Sequence, residues 1–309
     1  MRPWPSLADK AFCLTNDSHF AAKFPAQSGE NIFYFDSPPG NVTSGSSRPV
    51  FVLIHGLGDE ADSWRHLIPI LNARGYRVLA LDLPGFGRSA TMGKINIKSH
   101  TAAVLAFLEA VIPARPVVLA GNSLGALVTE EAAFKIPNLV KALVLIDGSI
   151  PGGPANPGIP AVIKLLLSRK WYRAYIDDPD GAWASLRPYY ADLPNMPRED
   201  REFLRTRVMD RVRSASQEKA FFATQRSLIW TYMFAASRFA KKVRSFKGRI
   251  LLLWGENDRI IPPSSAETFK LLRSDIELQI IKGAGHLPQQ EKPGETAQFM
   301  ADFVERAVD

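Results

Sequence analysis

The chain carries one cysteine, Cys13, so it can form no internal disulfide, and a metal site built from several thiolates is excluded. Apolar runs such as Ile250 to Trp254 are far shorter than the ~18 residues a membrane span requires. Met1-Arg2-Pro3-Trp4-Pro5 lacks the apolar core of a signal peptide, and the polar Asn16, Asp17, Ser18 and His19 interrupt the next stretch of chain. A cytoplasmic protein with no stable membrane insertion is expected. His19, His55, His66, His100 and His286 lie far apart and form no H-x-x-x-H pair, so metal ligation has no support and no cofactor is called for. Internal repeats and low-complexity tracts are absent.

What the chain does have is ordinary bulk and an uneven charge. Its 309 residues, 46% hydrophobic and 22% charged, suit one large domain or one domain with an insertion. The net charge of +7 is concentrated in residues 151–248, which hold 18 Lys/Arg against 9 Asp/Glu, while the remainder holds 20 against 22. Such asymmetry can mark a nucleic-acid or membrane-facing segment. A solvated helical face is the simpler reading, and no nucleic-acid partner is expected.

Strand-length apolar runs alternate with helical spacing through most of the chain. Asn31–Asp36, Pro49–His55, Arg77–Asp82, the run from Val117, Ala142–Asp147, Arg249–Trp254 and Glu277–Ile281 read as strands. Between them Trp64, Leu67, Ile68 and Leu71, and later Ala103, Leu105, Phe107, Leu108 and Val111, mark helices. Helices are also expected from Ala126 to Phe134, over 264–273 and from about Glu295 to Val308. Near-continuous apolar strands separated by helices predict an α/β fold with a mostly parallel sheet covered on both faces.

The rhythm breaks over residues 150–247. This segment opens with the linker-like Pro151-Gly152-Gly153-Pro154 and continues with helical patterns, for example Leu204, Val208 and Val212 in an i, i+4, i+8 row. It also holds 14 of the 31 aromatic residues. The expected organisation is therefore a core of residues 1–149 and 248–309 with a helical cap, 150–247, inserted over one end of the sheet.

Three chemistries compete. Gly56-Leu57-Gly58-Asp59-Glu60-Ala61 follows a strand and fits a dinucleotide fingerprint, with Asp82 ending the next strand. Asp59 and Glu60, however, would put negative charge where a pyrophosphate must sit. A second match at Gly85 leads into Thr91-Met92-Gly93-Lys94, which opens no apolar helix. Metal hydrolysis fails on the histidine spacing. Serine nucleophilic catalysis remains. Gly121-Asn122-Ser123-Leu124-Gly125 joins a buried strand to a helix, with small residues two before and two after the serine so that strand and helix can approach closely.

Ser123 needs a base, because a free hydroxyl stays protonated at neutral pH. His286 follows the last strand in Gly283-Ala284-Gly285-His286, at the same strand-end edge as Ser123. His55 ends a strand too, but the Gly56 after it suggests a role in shaping that loop. The histidine needs an orienting carboxylate. Asp258 follows the strand ending near Trp254; Asp147, past the preceding strand, is the alternative acid, and Glu256 lies closer to its strand.

With His55-Gly56-Leu57-Gly58, Asp82-Leu83-Pro84-Gly85-Phe86-Gly87-Arg88-Ser89, the serine turn, Gly255-Glu256-Asn257-Asp258 and Gly285-His286 in that order, the chain resembles the capped α/β-hydrolases. The resemblance implies Ser123 as nucleophile, His286 as base and Asp258 as acid, with the backbone N–H groups of Leu57 and Leu124 as oxyanion hole. It implies a serine hydrolase of a small, largely apolar substrate, an ester by default, with carbon–carbon hydrolysis of a diketone-type acid as the alternative. A catalytically silent receptor or interaction module on the same scaffold is the reading from another class. Cap aromatics such as Trp171, Trp183, Tyr189, Tyr190 and Trp230 point to the apolar substrate. A homo-oligomer is compatible with the sequence but nothing in it indicates one.

Overall fold

The structure is a computed structural model that describes residues 20–25, 31–39, 48–91, 93–149, 169–170 and 172–308. Cys13, His19, Trp171 and the linker-like stretch at 151–158 lie outside the described residues.

Eight strands form one sheet in the order β1-β2-β4-β3-β5-β6-β7-β8. They are β1 (Phe20–Pro25), β2 (Asn31–Ser37), β3 (Val50–Ile54), β4 (Val78–Leu81), β5 (Val117–Asn122), β6 (Val140–Ile146), β7 (Arg249–Gly255) and β8 (Glu277–Ile281). From β4 through β8 every neighbouring pair is parallel; β1 and β2 run antiparallel at one edge. The mostly parallel sheet expected from the continuous apolar runs is present. β1 is the exception to what the pattern revealed, because its place in the sheet comes from pairing with β2 along Phe20↔Asp36 to Pro25↔Asn31 and not from any periodicity of its own.

Burial on both faces explains why the central strands are apolar at every position. Val52, Ile54, Leu119, Leu143, Leu145, Leu252 and Trp254 enter the core on one side of the sheet. The residues between them, Leu53, Val118, Ala120, Val144 and Leu253, enter the core on the other. The period of two in side-chain direction assigns them alternately to the two faces. The first face packs on α2 (Ile97–Val111) and α3 (Leu124–Ala133), the second on α1 (Leu67–Ala73) and on the last helix, α10 (Pro293–Val308).

Between β6 and β7 the described residues form only helices and turns. The helices are α4 (Pro179–Ala184), α5 (Arg198–Arg213), α6 (Ala215–Phe234) and α7 (Ala236–Ser245); α8 (Ser264–Lys270) and α9 (Pro288–Glu291) follow in the later chain. α6 and α7 are knitted into the sheet domain. Ala220, Phe239 and Val243 belong to its core, His100 Nε2 lies 2.9 Å from Thr224 Oγ1, and Ile97 N donates to Ser227 Oγ at 3.1 Å. His100 is fully buried between α2 and α6, and burial drops its pKa to about 3.

β3 and β5 are neighbours while β4 lies on the far side of β3, so the chain leaves β3 in one direction and returns on the other side. A crevice forms at such a reversal, beyond the strands' carboxyl ends. The loops after β3, β5, β6, β7 and β8 all open on that edge.

Candidate active site

Ser123 sits at the tip of β5 with φ 54° and ψ −114°, a conformation that sterics disfavour for any residue with a side chain. Strain of this kind costs of order 1–3 kcal/mol and persists only where the surroundings impose it. Here they do. A Cβ on Gly121 would lie 2.3 Å from the backbone of Gly125, and one on Gly125 would lie 2.1 Å from the carbonyl oxygen of Ile54. Strand and helix therefore cross at a distance only glycine allows, and Ser123 N donates to Ile146 O at 2.9 Å across the neighbouring strand. The helix begins at Leu124, two residues earlier than the sequence pattern suggested, so the Leu124 amide stands at its open first turn.

Leu57 N and Leu124 N have no hydrogen-bond partner among the described residues, and both leucines line the same cavity as Ser123. Gly56 makes the approach possible, since its missing Cβ would lie 3.1 Å from Asn122 Oδ1 and 3.5 Å from Ser123 Cβ. His55 shapes this loop: Leu83 N donates to its Nε2 at 2.9 Å, which leaves Nδ1 as the donor to Gly56 O at 2.8 Å. Burial lowers its pKa and keeps the ring neutral.

His286 is buried and lines the cavity. Its Nδ1 donates to Asp258 Oδ2 at 2.8 Å, so Nε2 is the ring nitrogen left to exchange a proton. The other oxygen of Asp258, Oδ1, accepts from Ile260 N and Ile261 N at 2.8 and 3.0 Å, which fixes the carboxylate in place. Asp147 stands beside this pair without bonding the histidine. Its Oδ1 accepts from Gly255 N at 2.7 Å, and burial together with the adjacent Asp258 raises its pKa, favouring the protonated form. Of the two acids left open by the sequence, the histidine is bonded to Asp258. Glu256 turns elsewhere and accepts from Gly283 N at 3.0 Å.

Ligand atoms of Asp147, Asp258 and His286 fall within 4.8 Å of one another, so these three are the described residues that could gather round a metal ion. Binding one through Nδ1 would forfeit the histidine–carboxylate hydrogen bond, and the raised pKa of Asp147 disfavours the ionised form a ligand must take.

The contrast between the two acids is testable. Asp258→Asn removes the acceptor that holds the imidazole tautomer and is expected to lower kcat by about 10⁴-fold. Asp147→Asn removes no bond to the histidine and keeps an oxygen that can accept from Gly255 N, so it is expected to stay within about tenfold of the parent. Equal losses in steady-state ester hydrolysis would show that Asp258 alone is not the acid.

Several residues that place the site carried no signal in the sequence. Asn122 Nδ2 donates to His286 O at 3.0 Å and draws the loop after β8 across to β5. His286 N donates to Tyr189 O at 2.8 Å, a contact from the cap to the backbone of the base. Glu291 accepts from Ala191 N at 2.8 Å and Gly285 N at 2.6 Å, clamping the cap to the histidine loop. These partners are mostly main-chain groups, invisible to any residue pattern; Asn122 alone could have been suspected, from its place inside the serine turn.

The cavity above Ser123 measures about 870 Å³, and its walls are largely apolar. Tyr189 and Tyr190 line it, as expected of the cap aromatics, with Tyr172, Phe221, Phe222 and Tyr232. Trp183 packs instead with Leu186 and Phe203 in a small core of the cap, and Trp230 is exposed to solvent. The cap arginines divide as well. Arg207 and Arg211 reach down to the loop after β3, where Arg207 Nε donates to Glu60 Oε1 at 2.7 Å and Arg211 Nη2 contacts Asp59 and Glu60, each at 2.9 Å. Asp59 and Glu60 therefore anchor the cap. Asp82, the acid of the discarded nucleotide motif, accepts from Ala61 N at 2.6 Å and Arg88 N at 2.7 Å.

Within α3, Glu130 is fully buried, with Ser149 Oγ donating to its Oε2 and Oε1 left without a partner among the described residues. Burial pushes its carboxyl up from 4.5 to about 8. A raised carboxyl contributes stability that is full below the unfolded value and is lost as pH rises through the folded one. Glu130→Gln is therefore expected to flatten the decline in stability between about pH 4.5 and 8, a gain of a few kcal/mol at the alkaline end in urea unfolding. Parallel pH profiles for the two proteins would refute the assignment.

A family model for the Alpha/beta hydrolase family matches residues 51–299. The chain is 30% identical over 263 residues, 85% of its length and 96% of the relative's, to the pimeloyl-[acyl-carrier protein] methyl ester esterase of Methylococcus capsulatus. It is 25% identical over 279 residues, 89% of its length and 92% of the relative's, to 2-hydroxy-6-oxononadienedioate/2-hydroxy-6-oxononatrienedioate hydrolase 1 of Pseudomonas putida. Among solved structures it resembles a membrane phospholipase A described as a bacterial virulence factor, with TM-score 0.73 and 26% identity over 94% of this chain and 87% of that one. No helix of the described residues is long and apolar enough to cross a membrane.

Proposed function

The chain belongs to the alpha/beta hydrolase family and is a hydrolytic enzyme, and from that premise we propose that it cleaves carboxylic esters of a largely apolar substrate through an acyl-enzyme on Ser123. The observation that carries this reading is the Asp258–His286 hydrogen bond set in one apolar cavity with Ser123 and two unpartnered amides. In the proposed reaction His286 Nε2 takes the Ser123 proton as Oγ attacks the ester carbonyl, and the developing oxyanion is held by Leu57 N and Leu124 N. The imidazolium, stabilised by Asp258, then protonates the departing alkoxide. Water repeats the sequence in reverse roles and frees the acid. A cavity near the upper end of the usual 300–1,000 Å³ range suits a substrate with a long apolar portion. The ester- and lipid-cleaving names of two similar proteins accord with that choice.

Carbon–carbon hydrolysis of a diketone-type acid is the second reading, favoured by Arg211, which lines the cavity with a buried Nε that has no partner among the described residues. Asp59 and Glu60 already oppose its charge, which leaves it a donor to an uncharged oxygen more readily than a seat for a carboxylate. The deciding experiment is a rate profile over aryl esters of increasing acyl length beside a vinylogous diketone acid. Ester turnover that rises with acyl length is expected. Turnover of the diketone acid alone would overturn the ester reading, and failure of a fluorophosphonate to label the protein would overturn the hydrolase mechanism as a whole.

A further inference from the structure

The last turns of α6 have two dissimilar faces. Leu228, Ile229 and Tyr232 line the cavity, whereas Trp230, Met233 and Phe234 are 65%, 45% and 66% exposed. The Trp230 and Phe234 rings stack on each other at 4.9 Å and 25°, forming one apolar knob at the corner where α6 gives way to α7. Large apolar side chains grouped on a surface mark an interaction site more often than scattered ones do. The stretch of chain that carries the knob is of one charge. Residues 219–248 contain seven Lys/Arg and not a single Asp or Glu. Arg226, Arg238, Lys241, Arg244 and Lys247 are exposed, and of these only Arg238 has an ion-pair partner among the described residues, Glu131 at 3.4 Å.

We propose that this corner of the cap docks the enzyme on the surface of an anionic lipid bilayer, with Trp230, Met233 and Phe234 entering the interface and the surrounding cations facing lipid phosphates. Tryptophan and phenylalanine favour the boundary between headgroups and acyl chains, and juxtaposed Lys/Arg gain from the negative surface potential. A second copy of the chain fits the face poorly, because it would bring one set of exposed cations against another. A nucleic acid would satisfy the cations but has no apolar layer for Met233 and Phe234. Docking would hold the cavity wall formed by α6 close to the bilayer, so an apolar substrate could pass from lipid to Ser123 without crossing water. The docking itself stands apart from the ester reading.

The test is co-sedimentation of the full chain with vesicles of phosphatidylcholine alone and of phosphatidylcholine with an equal part of phosphatidylglycerol. Binding is expected only to the anionic vesicles, weakening as salt is raised. Trp230→Ala/Phe234→Ala and Lys241→Glu/Arg244→Glu, each checked for unchanged thermal unfolding, are expected to lose about tenfold or more in partitioning. Ser123→Ala should bind as the parent does, so that failure of the catalytic reading leaves this one intact. Absence of anionic-vesicle binding, or undiminished binding by both double variants, would overturn the proposal. So would self-association that Trp230→Ala/Phe234→Ala abolishes, which would assign the knob to a second copy.

Discussion

Ser123→Ala is expected to lower kcat/KM for an aryl ester by about 10⁵–10⁶-fold and to abolish labelling by a fluorophosphonate. The size of the effect follows from the division of labour proposed for the site. Without the hydroxyl there is no acyl-enzyme, and His286 has no attached nucleophile to deprotonate. The residual acceleration over water would come from the amides of Leu57 and Leu124 and from the apolar cavity, which the substitution leaves in place. His286→Ala is expected to cost about as much, and the double variant little more, because the two act as one unit. The elbow should survive the serine change, since its geometry is imposed by Gly121, Gly125 and the bond from residue 123 N to Ile146 O. Retention of more than about a tenth of the parent rate in Ser123→Ala would place the nucleophile elsewhere.

The second large effect concerns stability. Arg207→Met is expected to destabilise the protein by about 3–5 kcal/mol in urea unfolding, because it strands Glu60 in the interior. Glu60 is completely buried and Arg207 nearly so, and they meet through two hydrogen bonds, from Nε to Oε1 and from Nη2 to Oε2. Nearby guanidinium groups hold the Glu60 carboxyl well below the usual range, so at neutral pH it is a buried anion. Arg211 still contacts it after the substitution, which places the expected loss toward the lower end. Adding Glu60→Gln should recover much of the loss, since a neutral amide needs no counter-charge. Were Arg207→Met within 1 kcal/mol of the parent, roughly the worth of an exposed pair, the ion pair would not be fastening the cap to the loop after β3.

Much of the fold and of the site is legible in the order of residues alone. The apolar strands announce a sheet buried on both faces, because a run such as Val50–Ile54 has nowhere to hide unless both sides are covered. Gly121 and Gly125 announce a close crossing of strand and helix, and the structure shows contacts that no Cβ could survive. β1 is not legible, since an edge strand owes its place to a partner. Nor is the fate of the cap arginines. Arg207 and Arg211 read as part of a basic surface, but their guanidinium groups turn inward to Asp59 and Glu60, some 150 positions earlier in the chain. Trp230 reads as a wall of the substrate site and instead faces out, because helical periodicity tells which residues share a face but not which way that face is turned.

The sequence by itself determined the alternation of strand and helix, the glycine-flanked serine at the turn, and the placement of His286, Asp258 and Asp147 after strand ends. Those features are local, set by side-chain period and by the space a glycine leaves. Only the tertiary structure decided that His286 bonds Asp258 while Asp147 stands aside and accepts from Gly255 N, and that the cap's buried cations are answered by the loop after β3. The physical reason is distance. Which carboxylate reaches an imidazole, and which arginine meets an anion, depends on strand order and loop paths measured in ångströms, and no spacing along the chain encodes them.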